Sequence, residues 1–238
     1  MKKLILSLVL AIVSSATLAA EATEPLDSVY INLGNKESLQ RGAGLFVNYC
    51  LSCHSAAYMR YNRMGRDLGI SDENLKEHMM FTTDKPGSLM KASMPADEAK
   101  KWFGTAPPDL SLVTRVRNPD WVYSYLRRFY VDTESPHGWN NSLFENVAMP
   151  HVLHKLQGVQ RLTGHDEHGH PLFEVQSQGA MTPEQYDQAM ADLTNFLVYM
   201  GEPAKLQRYS IGALVMLFLV ALFVLCFFLK KEYWRDLH

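Results

Sequence analysis

Cys50-Leu51-Ser52-Cys53-His54 is the stretch from which the rest of the chain is read. On a helix, residues three apart share a face, so both thiols can reach the two vinyl groups of one haem. The adjacent histidine then approaches the iron from the same side, as its proximal ligand. Cys-x-x-Cys-His is the spacing of covalent c-type haem attachment. Two other chemistries use a Cys-x-x-Cys pair. A thioredoxin-like redox pair needs a βαβ pattern that these flanks lack, and a zinc site needs a second cysteine pair. The third cysteine, Cys226, sits in an apolar run and reads as a small filler. No second such motif occurs, so the sequence predicts one covalently bound haem c.

The flanks of the motif read as helices. Ser38 is a candidate cap for a helix whose Leu39, Gly42, Leu45, Phe46 and Tyr49 recur at helical spacing. Gly42 and Gly44 cost helix propensity, which predicts that another helix crosses closely there. Thr182-Pro183-Glu184-Gln185 opens a second helix with a capping box and a proline in the first turn. Its apolar stripe is Tyr186, Met190, Leu193, Phe196, Leu197 and Met200, and Gly201 ends it. A first and a last helix crossing beside a haem resembles the frame of class I cytochromes c. The expected fold is mainly α: a class I cytochrome c-like haem domain with long insertions, plus one C-terminal transmembrane helix.

The two ends of the chain set its location. Lys2 and Lys3, the apolar run Leu4 to Val13 and the small residues Ser14 to Ala20 read as a secretory signal, residues 1–20. Ala19, Ala20 and Ala22 are all candidate cleavage points. Removing the two lysines leaves 21 basic against 25 acidic residues, so the net charge moves from -2 to -4. Tyr209 to Leu229 contains no charge and would extend roughly 31 Å as a helix, the thickness of a hydrocarbon core. Arg208, Lys230 and Lys231 bound it, and Tyr233 and Trp234 suit the interface. The divisions expected are a periplasmic haem domain at 21–204, an anchor at 205–229 in the lipid bilayer, and a cytoplasmic tail at 230–238. A 47% hydrophobic and 20% charged composition excludes disorder, and the mild acidity gives no reason to expect nucleic acid.

The sixth iron ligand is open on residue chemistry alone. Met94-Pro95 and Met149-Pro150 are both restrained by the following proline. Met94 leads into what reads as a helix start at Pro95-Ala96-Asp97-Glu98, whereas Met149 lies in a loop, which favours Met149. An open position or a second histidine such as His151 are the alternatives.

From about Ser38 to the tail the sequence resembles the cytochrome c1 family, the haem subunit of the cytochrome bc1 complex. The likeness is carried by Cys50 to His54, by Ala106-Pro107-Pro108-Asp109-Leu110-Ser111, by Asn146-Val147-Ala148-Met149-Pro150, and by the anchor after Gly201-Glu202-Pro203. The resemblance implies that Cys50 and Cys53 bind the haem and that His54 and Met149 ligate its iron. It places Pro108 at the haem pocket and Arg117, or Arg115, at a haem propionate. It also implies single-electron transfer from a Rieske iron–sulfur protein to a soluble or membrane-bound cytochrome c. Such a chain is no enzyme by itself; it is a subunit of a quinol–cytochrome c oxidoreductase. The partners implied are cytochrome b and the Rieske protein, in a dimeric complex of a bacterial cytoplasmic membrane.

Elsewhere the chain says less. Tyr58-Met59-Arg60-Tyr61 reads equally as haem-pocket packing or as core and surface. Asp72, Glu73 and Glu77 read as a solvated face before an acidic docking face. His165-Asp166-Glu167-His168-Gly169-His170 reads as a hairpin or loop before a metal site. Two other functions remain: a haem enzyme or gas sensor with an open iron, and a different anchored carrier, such as one feeding a terminal oxidase.

Overall fold

The computed structural model describes residues 24–237. The proposed secretory signal and its cleavage points lie outside the described residues. The chain is mainly helical, with three separate two-stranded antiparallel sheets.

Helix α1, Lys36–Leu45, begins at Asn35, whose side-chain oxygen accepts the amide of Ser38. The cap is therefore Asn35 and not Ser38. The Ser38 hydroxyl is drawn away to donate to the buried carboxylate of Asp192 at 2.7 Å. Between Phe46 and Cys50 the backbone widens into a π-helical turn, with the Leu51 amide donating to the Phe46 carbonyl. After the turn come β1, Ala56–Arg60, α2, Tyr61–Leu68, and α3, Asp72–His78. Strand β2, Leu89–Met90, pairs with β1, and α4, Ala96–Phe103, follows.

Short α5, Val113–Val116, leads to α6, Pro119–Arg127, which is capped by Asn118. Strands β3, Phe129–Val131, and β4, Trp139–Asn141, form the second sheet. The third follows α7, His154–Gln157, as β5, Gly158–His165, and β6, Pro171–Gln178. Helix α8, Pro183–Gly201, starts on the full Thr182/Gln185 capping box expected from the sequence. Its apolar stripe packs with α1 into the core through Phe46, Met190, Leu193 and Phe196, all fully buried.

The α1–α8 crossing turns on one glycine. A Cβ on Gly42 would collide with the Asp192 carbonyl oxygen and with Phe196, whereas a Cβ on Gly44 would meet nothing within 4 Å. Only Gly42 marks the close approach. Beside it, Arg41 and Ser38 converge on Asp192, at 2.6 Å and 2.7 Å, and tie the helices by charge as well as shape. Gly42→Ala is expected to cost ~2 kcal/mol or more, because the colliding atom is backbone and the helices must separate. Gly44→Ala is expected to gain up to ~1 kcal/mol from helix propensity. Thermal unfolding checks both: Tm falls in the first variant and holds or rises in the second.

Helix α9, Lys205–Tyr233, closes the fold. Its segment Gln207–Tyr233 is, among the described residues, the one helix long and apolar enough to cross a membrane. Its apolar side chains from Tyr209 to Leu229 lie exposed on every face, as a helix built for lipid requires. Arg208 pairs with Glu202 at its start, and Lys230 and Lys231 stand in its last turn.

Candidate functional site

The cysteine motif opens onto a cavity of about 410 Å³ walled almost wholly by apolar side chains. The motif does not continue a regular α-helix. The π-turn ends at Cys50, and the Cys50 carbonyl then accepts the amides of both Cys53 and His54, at 3.1 Å and 2.8 Å. A widened turn of this kind recurs at functional sites. Cys50, Cys53 and His54 nevertheless line the same cavity. Burial pushes the Cys50 thiol up to about 12, so the free thiol is protonated and inert to casual disulfide exchange.

A second segment fixes the histidine. The Asp109 carboxylate accepts the amides of Ala57 and Ser111, the Ser111 hydroxyl accepts the amide of Tyr58, and the Ser55 carbonyl accepts that of Leu110. These bonds lay the Pro107-Pro108-Asp109 segment against the residues after the motif. The Pro108 carbonyl oxygen then stands 2.8 Å from His54 Nδ1. A carbonyl can only accept, so Nδ1 carries the proton and Nε2 keeps a free lone pair. Desolvation by burial holds this imidazole below its ordinary pKa, which favours the neutral, ligand-competent form.

Another part of the lining comes from the loop after β4, where Val147, Ala148, Met149 and Pro150 line the cavity. The loop is held by two asparagines. Asn140 Oδ1 accepts the amide of Asn146, which adopts a positive φ of 56°, and Asn141 Nδ2 donates to the Tyr125 carbonyl at 2.8 Å. Tyr125 in turn sends its hydroxyl to Met149 Sδ at 3.5 Å. The floor is apolar: Val122 and Leu126 of α6, with Leu193 and Leu197 of α8. The donor set fits a haem. Two thiols, one imidazole nitrogen and one thioether share an apolar chamber, with the imidazole oriented from behind.

Of the other candidates, Pro108 and Arg117 line the cavity, and the Arg117 guanidinium lies over Trp121 at 4.8 Å. Arg115 does not line it. Met94 does not line it either; its amide donates to the Ser52 carbonyl, and Pro95 caps α4 as the sequence suggested. His151 is buried and stacked on Phe129 at 4.9 Å, away from the cavity. Met59 and Tyr61 belong to the core, and Tyr58 is exposed, so that stretch packs elsewhere. Asp72, Glu73 and Glu77 are solvated on α3. The tract from His165 to His170 is the turn between β5 and β6, where Asp166 accepts the amides of His168 and His170. Among the described residues no cluster of His, Cys, Asp and Glu is set to hold a metal ion. A smaller cleft of about 260 Å³ lies beside Arg127, Arg128, Asp27 and Asp187, whose charges pair with one another.

Sequence reasoning missed Tyr125, Trp121 and the two asparagines. The spacing of Trp121, Tyr125 and Phe129, four apart, was a visible signal of a one-sided aromatic row. The asparagines carried none.

Comparison with known proteins shows the family. The Cytochrome C1 family profile matches residues 29–237. A cytochrome c1 of Allochromatium vinosum is 49% identical over 244 residues, covering 100% of each chain. A protein of Nitrosomonas europaea named ammonia monooxygenase gamma subunit is 50% identical over 213 residues, covering 90% of this chain and 89% of the relative. A cytochrome c1 of Rhodospirillum rubrum is 26% identical over 225 residues, 85% of this chain and 82% of the relative. Haem motif, apolar cavity and terminal anchor helix thus belong to one known design: the chain is a member of the cytochrome C1 family, whose proteins carry one covalently attached haem c.

Proposed function

We propose that the chain carries single electrons from a Rieske iron–sulfur protein to a cytochrome c acceptor on the outer face of a bacterial cytoplasmic membrane. Family membership already makes it a c-type electron-transfer subunit of a cytochrome bc1 complex, anchored by its C-terminal helix. The finer reading rests on one observation: Cys50, Cys53, His54 and Met149 line a single apolar cavity.

When bound, the haem supplies a one-electron ferric–ferrous couple. Cys50 and Cys53 tether it through thioethers. His54, held by the Pro108 carbonyl, would hold the iron through Nε2, and Met149, in the same cavity lining, would supply its thioether. Arg117, in the cavity lining, is the group we assign to a propionate. The apolar floor excludes water and limits reorganisation around the couple. With both of these residues as its ligands, the iron would offer no position to a substrate.

Helix α9 would keep this chamber close to cytochrome b and the Rieske donor, within a dimeric complex. The expected division is a periplasmic body at 21–204, a bilayer anchor at 205–229 and a cytoplasmic tail at 230–238. The name of the Nitrosomonas europaea relative points instead to oxygen chemistry, which at this haem would need an open iron position. Met149 in the cavity wall favours the carrier.

The chain purified from its own membrane in mild detergent tests the reading. A reduced-minus-oxidised spectrum should show c-type bands together with b-type bands. A c-type signal that co-purifies with oxidase subunits and without cytochrome b would sink the assignment.

A further inference from the structure

Tyr125 presents its hydroxyl to the Met149 thioether, and that sulfur is the acceptor the phenol has among the described residues. A phenol in an apolar wall needs a partner, and a thioether is a weak one. The pairing persists because both partners are locked from outside. The Tyr125 ring is stacked on Trp121, with centroids 5.0 Å apart and planes 11° from parallel, and it meets Phe129 edge-on at 5.1 Å. Its own carbonyl accepts from the fully buried Asn141, the last residue of β4, where the Met149 loop begins. Asn140 meanwhile fixes that loop through the Asn146 amide at 2.9 Å. Tyr125 is therefore tied to the start of the loop at one point besides the sulfur contact, and the loop is tied back to β4 at another.

We infer that Tyr125 is a positioning residue for Met149: its hydroxyl holds the thioether toward the cavity centre and draws electron density from the sulfur. The inference rests on Met149 being the axial ligand. A thioether sulfur has two lone pairs, so one can meet iron while the other accepts from the phenol. Methionine has three rotatable bonds and would otherwise explore several rotamers. Ferric iron demands more donation from the sulfur than ferrous iron does. A hydrogen bond that weakens this donation therefore favours the reduced state.

The test is Tyr125→Phe in the full membrane-bound, haem-loaded chain, which keeps the stack on Trp121 and removes only the hydroxyl. Redox titration should show the ferric form favoured by about threefold at a fixed potential, the low end of a single hydrogen bond's worth. That corresponds to a midpoint lower by about 30 mV, at 59 mV per tenfold for one electron. The far-red methionine-to-ferric-iron charge-transfer band should shift, with haem content and thermal stability unchanged. An unchanged or raised midpoint with an unaltered band would overturn the inference. Met149→Leu, titrated alongside, separates the two levels. If it lowers the midpoint and Tyr125→Phe does not, the hydrogen bond is irrelevant and the ligand stands. If neither variant moves the midpoint, the ligand assignment fails as well.

Discussion

Replacing Cys50 and Cys53 together by alanine is expected to abolish covalent haem completely. Both thiols line the cavity, and the one other cysteine of the chain, Cys226, lies exposed on the apolar anchor helix. No third sulfur is available to form a thioether. Alanine is preferred to serine because Cys50 is buried, and a hydroxyl there would add the cost of an unpaired polar group. The loss should extend beyond chemistry. A cavity of about 410 Å³ is lined from α6, α8 and the Met149 loop, so losing its tethered contents leaves those elements without their shared packing partner. Denaturing electrophoresis followed by haem staining reads the result. Wild-type chain retains the stain and the double variant shows none. Single variants should keep haem through one thioether, with a displaced absorption maximum. A stained band in the double variant would mean that some other residue makes the attachment.

The motif, the capping box at Thr182, the α8 stripe and the anchor were legible because each is a local pattern with a local physical cause. Asn35 and Ser38 show where local reading stops. Both are good caps three residues apart, and the choice is decided by Asp192, 154 residues beyond Ser38, which takes the serine hydroxyl for itself. The close crossing was readable as a glycine signal, yet sequence could not tell Gly42 from Gly44, because only the partner helix decides which lies under its backbone. The π-turn before Cys50 is likewise silent in composition. At the site, thiols and imidazole were fixed by adjacency. Met149 needed more. Its loop faces the cavity because Asn140 and Asn141 bind backbone groups, and an asparagine in a sequence does not announce what it will bind.

Met149→Leu is expected to leave haem attached and to lower its reduction potential on the order of 0.2 V, a fraction of the roughly 0.8 V that axial ligation spans. Leucine conserves the apolar volume of the cavity wall, so the change isolates the sulfur. Relative to the harder oxygen donor that water would supply in its place, a thioether favours ferrous iron, and losing it would leave a position that water or an added ligand can take. Two readouts therefore move together. The midpoint falls, and the reduced protein begins to bind carbon monoxide readily at neutral pH, which the wild-type chain should not do. Met94→Leu serves as the control, because Met94 does not line the cavity and its backbone is occupied with Ser52. It should change neither quantity. Carbon monoxide binding by the unaltered chain would instead mark an iron already open, and would move the function from electron carriage toward gas binding or oxygen chemistry. The methionine's place in the wall is thus what separates a carrier from an enzyme built on the same attachment motif.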